Sequence, residues 1–86
     1  MYEIRYSRAS IKNLKNLARA EQRRIIQKIE KLSLKPRPQG VEKLSNKDNL
    51  YRIRSEDYRI IYEIKDEQLL VLVVKIGHRA EVYKRL

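Results

Sequence analysis

Between Tyr58 and Ile64 the chain alternates strictly: Tyr58, Ile60, Tyr62 and Ile64 mark one face, and Arg59, Ile61 and Glu63 the other. Only a β-strand separates side chains with a period of two, so this segment must lie in a sheet with one face buried. Strand signals surround it. Leu50 to Arg54 also alternates, and Ser55-Glu56-Asp57 turns the chain between the two. Lys65 to Gln68 turns it again, and the apolar run from Leu69 continues to Ile76 as a central strand that Gly77 ends.

The first half of the chain has a different period. Residues 2–6 (YEIRY) alternate as a short strand, and Ser7 is placed as a helix N-cap. Ile11, Leu14, Leu17 and Ala18 follow at helical spacing. A second helix is expected from about Ala20 to Leu32, with Ile25, Ile26, Ile29 and Leu32 as its apolar stripe. The two helices join tightly near Arg19–Glu21 as a hairpin. Pro36, Pro38 and Gly40 then forbid helix, so residues 35–49 read as a loop with a short turn at Val41–Leu44. The expected fold is α+β: a β-α-α-β-β-β order in one domain, residues 1–86, with an antiparallel-rich sheet and the helical hairpin packed on one face.

Composition excludes several classes. With no Cys, neither a disulfide framework nor a thiolate metal site is available, and one His is too few for a typical zinc site. The longest apolar run, Leu69–Val74, is far short of the roughly 18–20 residues that span a bilayer. Neither a secretion signal nor a membrane role is therefore expected, and the cytoplasm is the expected compartment. No metal or cofactor is expected. The charge points to a partner: 21 Lys and Arg against 11 Asp and Glu give a formal net of +10. Such an excess repels itself within a small body and implies a polyanion, nucleic acid first and an acidic protein segment second.

Arg52 and Arg54 lie two apart on one strand and so point to one side; if the second face of the next strand is the open one, Arg59 joins them. A guanidinium fork matches phosphate oxygens and keeps its charge, so the set reads as a phosphate-binding surface. His78 and Arg79 come where the last strand ends. A histidine there can act as general acid, general base or phosphate ligand. Tyr83 offers a ring for base stacking. The ordinary readings are solvated arginines on an exposed sheet, a hydrogen-bonding histidine at a strand end and a tyrosine in the core.

The segments YRIR, DYRIIYEI and GHRAEVY, together with the element order, resemble the RelE/ParE superfamily of type II toxin–antitoxin toxins over nearly the whole chain, and the RelE branch most closely. That resemblance implies a metal-independent endoribonuclease that cuts mRNA in the ribosomal A site and so inhibits translation. It implies a cognate, RelB-like antitoxin with an acidic, disordered segment, and contact with operator DNA only through the antitoxin complex. Carried over by motif, the strand-borne basic pair falls on Arg52 and Arg54, the central phosphate-binding arginine on Arg59, the late arginine on Arg79 and the base-stacking tyrosine on Tyr83.

The best-studied members have lysines where Arg52 and Arg54 stand, and one of those lysines serves as general base. A guanidinium is neutral in only about one part in 10⁶ at pH 7, so Arg52 binds phosphate but does not take a proton. The base is then His78, Glu42 or Lys43. Glu42 draws support from relatives that use a glutamate just after the helical hairpin. Two other functions stay open: a ParE-like inhibitor of DNA gyrase, and a nucleic-acid-binding module with no catalytic step.

Overall fold

The computed structural model describes residues 1–44 and 49–78. Along the chain run β1 (Glu3–Tyr6), α1 (Arg8–Lys15), α2 (Arg19–Glu30), a single turn at Lys31–Ser33, β2 (Glu42–Lys43), β3 (Leu50–Ser55), β4 (Tyr58–Lys65) and β5 (Leu70–His78). The strands form one sheet in the order β1-β5-β4-β3-β2. Only β1 and β5 run parallel; the other pairs are antiparallel. Both helices cover one face.

This is the expected α+β architecture with one added strand. Glu42 and Lys43 pair with Arg52 and Tyr51, where the sequence shows only a turn after Gly40. Two residues are too few to alternate legibly, and β3 supplies their hydrogen-bonding partner.

The core is a sandwich of α2 against the sheet. Ile25, Ile29 and Leu32 meet Tyr51, Ile53, Ile60, Tyr62, Ile64, Val71, Val73 and Ile76. Each such side chain removed from water contributes about 1.5–3 kcal/mol. Ile29, Ile60 and Tyr62 are completely buried, so truncating Ile29 to Ala would cost about 2–5 kcal/mol.

Helix α1 does a second job. Ser7 is its N-cap, with Oγ accepting from the Ser10 amide at 3.0 Å. The same hydroxyl donates to the Val74 carbonyl at 2.6 Å, and Asn13 Oδ1 accepts from the Ile76 amide at 3.0 Å. β1 pairs with β5 only as far as Val73. Past that point, α1 side chains satisfy backbone groups that would otherwise be left buried and unpaired. This turns Ser10 fully inward and leaves Ile11 at 43% exposure, although spacing alone assigns Ile11 to the apolar face.

The loop after α2 is held by a polar cluster. The Arg37 guanidinium donates to both Asp66 oxygens at 3.2 and 2.8 Å and to the Tyr51 hydroxyl at 3.1 Å. Tyr2 donates to Asp66 at 2.6 Å, and the Tyr62 hydroxyl donates to the Pro36 carbonyl at 2.6 Å. Burial pushes the Tyr62 phenol up, so it stays a donor. The Arg37 and Tyr2 hydrogen bonds hold Asp66 below its ordinary range. A lowered carboxylate pKa gives stability that is complete above the unfolded value of about 3.9 and lost as pH falls through the folded value. The urea midpoint of the wild type should therefore exceed that of Asp66→Asn at pH 6, and the gap should close progressively below about pH 4. A gap independent of pH would assign the contribution elsewhere.

Candidate nucleic-acid interface

Cross-strand register gives the face of the sheet away from the helices its composition. Arg54 stands opposite Arg59, and Arg59 opposite Gly77. One step along, Glu42 pairs with Arg52, Arg52 with Ile61 and Ile61 with Lys75. Residues directly opposite share a face, so these two rows lie side by side on the side away from the helices. Tyr51, Ile53, Ile60 and Tyr62 spend the other parity on the core, which leaves the arginines to the face away from the helices.

Arg52 and Arg54 therefore do point one way, and Arg59 joins them. Like charges directly opposite across a strand pair destabilise it by about 0.2–1 kcal/mol. No carboxylate pairs with Arg54 or Arg59 among the described residues. Arg59 Nε is buried and has no hydrogen-bond partner there. Gly77, opposite, has no side chain to fill the space beside it. Arg52 is different: its side chain is only 11% exposed, and it holds the Glu42 carboxylate at 2.7 Å. Among the described residues the face thus offers two adjacent arginines with no carboxylate partner and a third anchored by Glu42, a set of guanidinium donors suited to phosphate oxygens.

Not every expected residue converges here. His78 pairs with Tyr58, which packs toward the core, and meets its ring edge-on with centroids 5.2 Å apart. Its Nε2 is 3.9 Å from Asp57 Oδ2. His78 therefore lies on the helical side of the sheet, opposite the arginines, away from the phosphate-binding surface that a role as acid, base or phosphate ligand would need. Lys43 pairs with Tyr51 and so sits at a register position of the helical side, while Glu42 takes the arginine side. Arg79 and Tyr83 lie outside the described residues.

Lys75 is on the arginine face and escapes sequence reasoning. The alternation of Val71 and Val73, both fully buried, would send Lys75 into the core. The register shifts between Ile61 and Tyr62, whose partners are Lys75 and Val73. Val74 is therefore an extra residue, a β-bulge that reverses the parity beyond it. Ile76 becomes the buried residue, and Lys75 and Gly77 emerge beside Arg59.

Among the described residues, no three acidic or imidazole side chains cluster closely enough to share a metal ion, and no helix is long and apolar enough to cross a membrane. The architecture is a mixed five-stranded sheet with a helical hairpin on one face and arginines on the other. Residues 4–83 match the family described as the ParE toxin of type II toxin–antitoxin system, parDE, and the chain belongs to that family.

Within the wider RelE/ParE group its likeness is of the RelE kind. It is 28% identical to the mRNA interferase toxin RelE of Escherichia coli K12, over 95% of this chain and 90% of that one. The isolated Escherichia coli RelE toxin superposes with a TM-score of 0.80 at 25% identity, covering 96% of this chain and 92% of that one. RelE of the archaeal RelE–RelB complex from Pyrococcus horikoshii OT3 gives 0.82 at 28% identity, covering 92% and 96%.

Arg59 is expected to trade stability for binding. Arg59→Met keeps an unbranched apolar stem but removes both the repulsion from Arg54 and the unsatisfied donor. Its unfolding free energy should equal or exceed the wild type's by up to about 1 kcal/mol. Inorganic phosphate should raise the melting temperature of the wild type more than that of the variant. A loss above about 2 kcal/mol in Arg59→Met would mark the arginine as structural.

Proposed function

We propose that this toxin is a ribosome-dependent mRNA endonuclease that needs no metal ion. The observation that carries the reading is the cross-strand Arg54–Arg59 pair, with no carboxylate partner among the described residues, on the sheet face away from the helices of a chain whose formal net charge is +10. The RNA's own 2′-hydroxyl attacks the adjacent phosphorus, giving a 2′,3′-cyclic phosphate and a 5′-hydroxyl. Arg59, with Arg52 and Arg54, stabilises the charge that builds on the phosphorane oxygens. Removing one such donor typically costs about 10²–10³ in rate.

Glu42 is the general base in this reading. The Arg52 contact holds its carboxylate on the working face, and Lys43 and His78 both point to the other side. Arg79 at the leaving oxygen and Tyr83 as a stacking platform are carried over from the resemblance. A site of this kind has no activated nucleophile of its own. Its rate depends on an RNA held in line, which is a proximity effect that the ribosome supplies.

Primer extension on a reporter mRNA in a purified translation system tests the reading. The wild type is expected to cut at A-site codons and to leave the same RNA intact without ribosomes, while Arg59→Ala loses the cuts. Intact mRNA together with inhibited supercoiling by purified gyrase would favour the second reading, which the ParE family match supports.

The antitoxin belongs to the same proposal, since the similar RelE proteins were solved bound to RelB. On the helical side a groove of about 360 Å³ is floored by Leu32, Ile53 and Pro38 and rimmed by Lys28, Lys31 and Lys35. Leu34 beside it is 74% exposed. None of the three lysines pairs with a carboxylate among the described residues. An acidic segment with apolar anchors, disordered when free, fits both features. The double variant Leu34→Asp, Lys31→Glu should bind the antitoxin encoded beside this gene at least about tenfold more weakly, or about 1.4 kcal/mol. It should also stay toxic when that antitoxin is co-expressed. Unchanged affinity by calorimetry would place the antitoxin elsewhere.

A further inference from the structure

We infer that Lys75 donates the proton to the departing 5′-oxygen; the assignment rests on the nuclease reading above and adds a residue to it. Three observations carry it. The bulge at Val74 is what delivers Lys75 to the arginine face, and bulges recur beside active sites because they re-aim one side chain. A regular strand would have buried a charge at this position. The register then sets Glu42, Arg52, Ile61 and Lys75 in one row across four strands. Ile61, fully buried, is an apolar floor in the row between Arg52 and Lys75.

The row has the geometry that in-line displacement requires. The attacking and leaving oxygens lie on opposite sides of the phosphorus, so base and acid must approach from opposite sides. Three strand spacings of about 4.8 Å separate the Glu42 and Lys75 backbones by roughly 14 Å. Side chains rise from the sheet and can lean toward one another, so the polar ends of a glutamate and a lysine on this row can close to the roughly 8–9 Å that two apical P–O bonds and a hydrogen bond at each end require. Arg52 falls inside that span, and Arg59 is Lys75's diagonal neighbour on β4.

The step balances. The 2′-hydroxyl proton passes to the Glu42 carboxylate as the O2′–P bond forms. The P–O5′ bond breaks, and a proton moves from the Lys75 ammonium to O5′. Solvent then takes the proton from Glu42 and returns one to Lys75. The chemistry also selects lysine: an ammonium is a better proton donor than a guanidinium, which holds its proton far more tightly. Its tip is a compact donor with three protons that rotate into place. The arginines on this face are built to bind and Lys75 to give.

The test uses the whole protein on programmed ribosomes with two synthetic mRNAs. One has the natural phosphodiester at the cleaved linkage, and the other has sulfur in place of the bridging 5′-oxygen. A thiolate leaves without protonation, so the second RNA does not need the acid. Single-turnover rates at saturating toxin are measured for wild type, Lys75→Arg and Lys75→Met. Both variants are expected to cut the natural RNA about 10²–10⁴-fold more slowly and the sulfur RNA within a few-fold of wild type. Equal slowing on both RNAs would overturn the assignment and leave Lys75 a phosphate-binding or packing residue. So would wild-type rates on the natural RNA for Lys75→Arg. If the wild type cuts neither RNA, the nuclease reading itself fails, and that result is distinct from the other two.

Discussion

The burial of Ile60, Tyr62 and Ile64 under the helical hairpin fixes everything else in this molecule. β4 has partners on both edges, so its register sets those of β3 and β5. Its alternate residues have only one place to go. Arg59 is on the open face because Ile60 is in the core, and Arg54 and Gly77 stand beside it because the ladders place them there. The arginine face is thus a by-product of core packing. A one-residue slip of β4 would bury Arg59 and expose the core, so site and stability are specified by the same contacts.

Much of this was legible in the sequence. The alternation at Tyr58–Ile64 and the spacing of Ile25, Ile29 and Leu32 were enough to place both layers, and Ser7 was readable as a cap. The shared side of Arg52 and Arg54 followed directly from the strand period, while Arg59 joined them only on the condition that its face of the next strand lay away from the core. What was not legible depends on backbone geometry that no pattern encodes. The Val74 bulge reverses the parity of β5, and with it the placement of Lys75. Two-residue β2 carries no period, yet its pairing separates Glu42 from Lys43. Nor does sequence tell which side of the sheet a strand-end residue such as His78 will take.

The two faces divide the work. The sheet side gathers Arg52, Arg54, Arg59 and Lys75 around an apolar floor and suits a phosphate backbone. The helical side sets lysines around an apolar groove and suits an acidic protein segment. One basic chain can therefore address an RNA and a protein through separate surfaces, with the same charge drawing both to it at long range.

The central claim is that side chains on the open sheet face, and no metal-bound water, break the RNA. The most direct measurement is the chemistry at the 5′ end of the downstream fragment released from programmed ribosomes. The account predicts a 5′-hydroxyl, labelled by polynucleotide kinase without prior phosphatase treatment. A 5′-phosphate would mean that water attacked the phosphorus and the 3′-oxygen left, and it would contradict the mechanism.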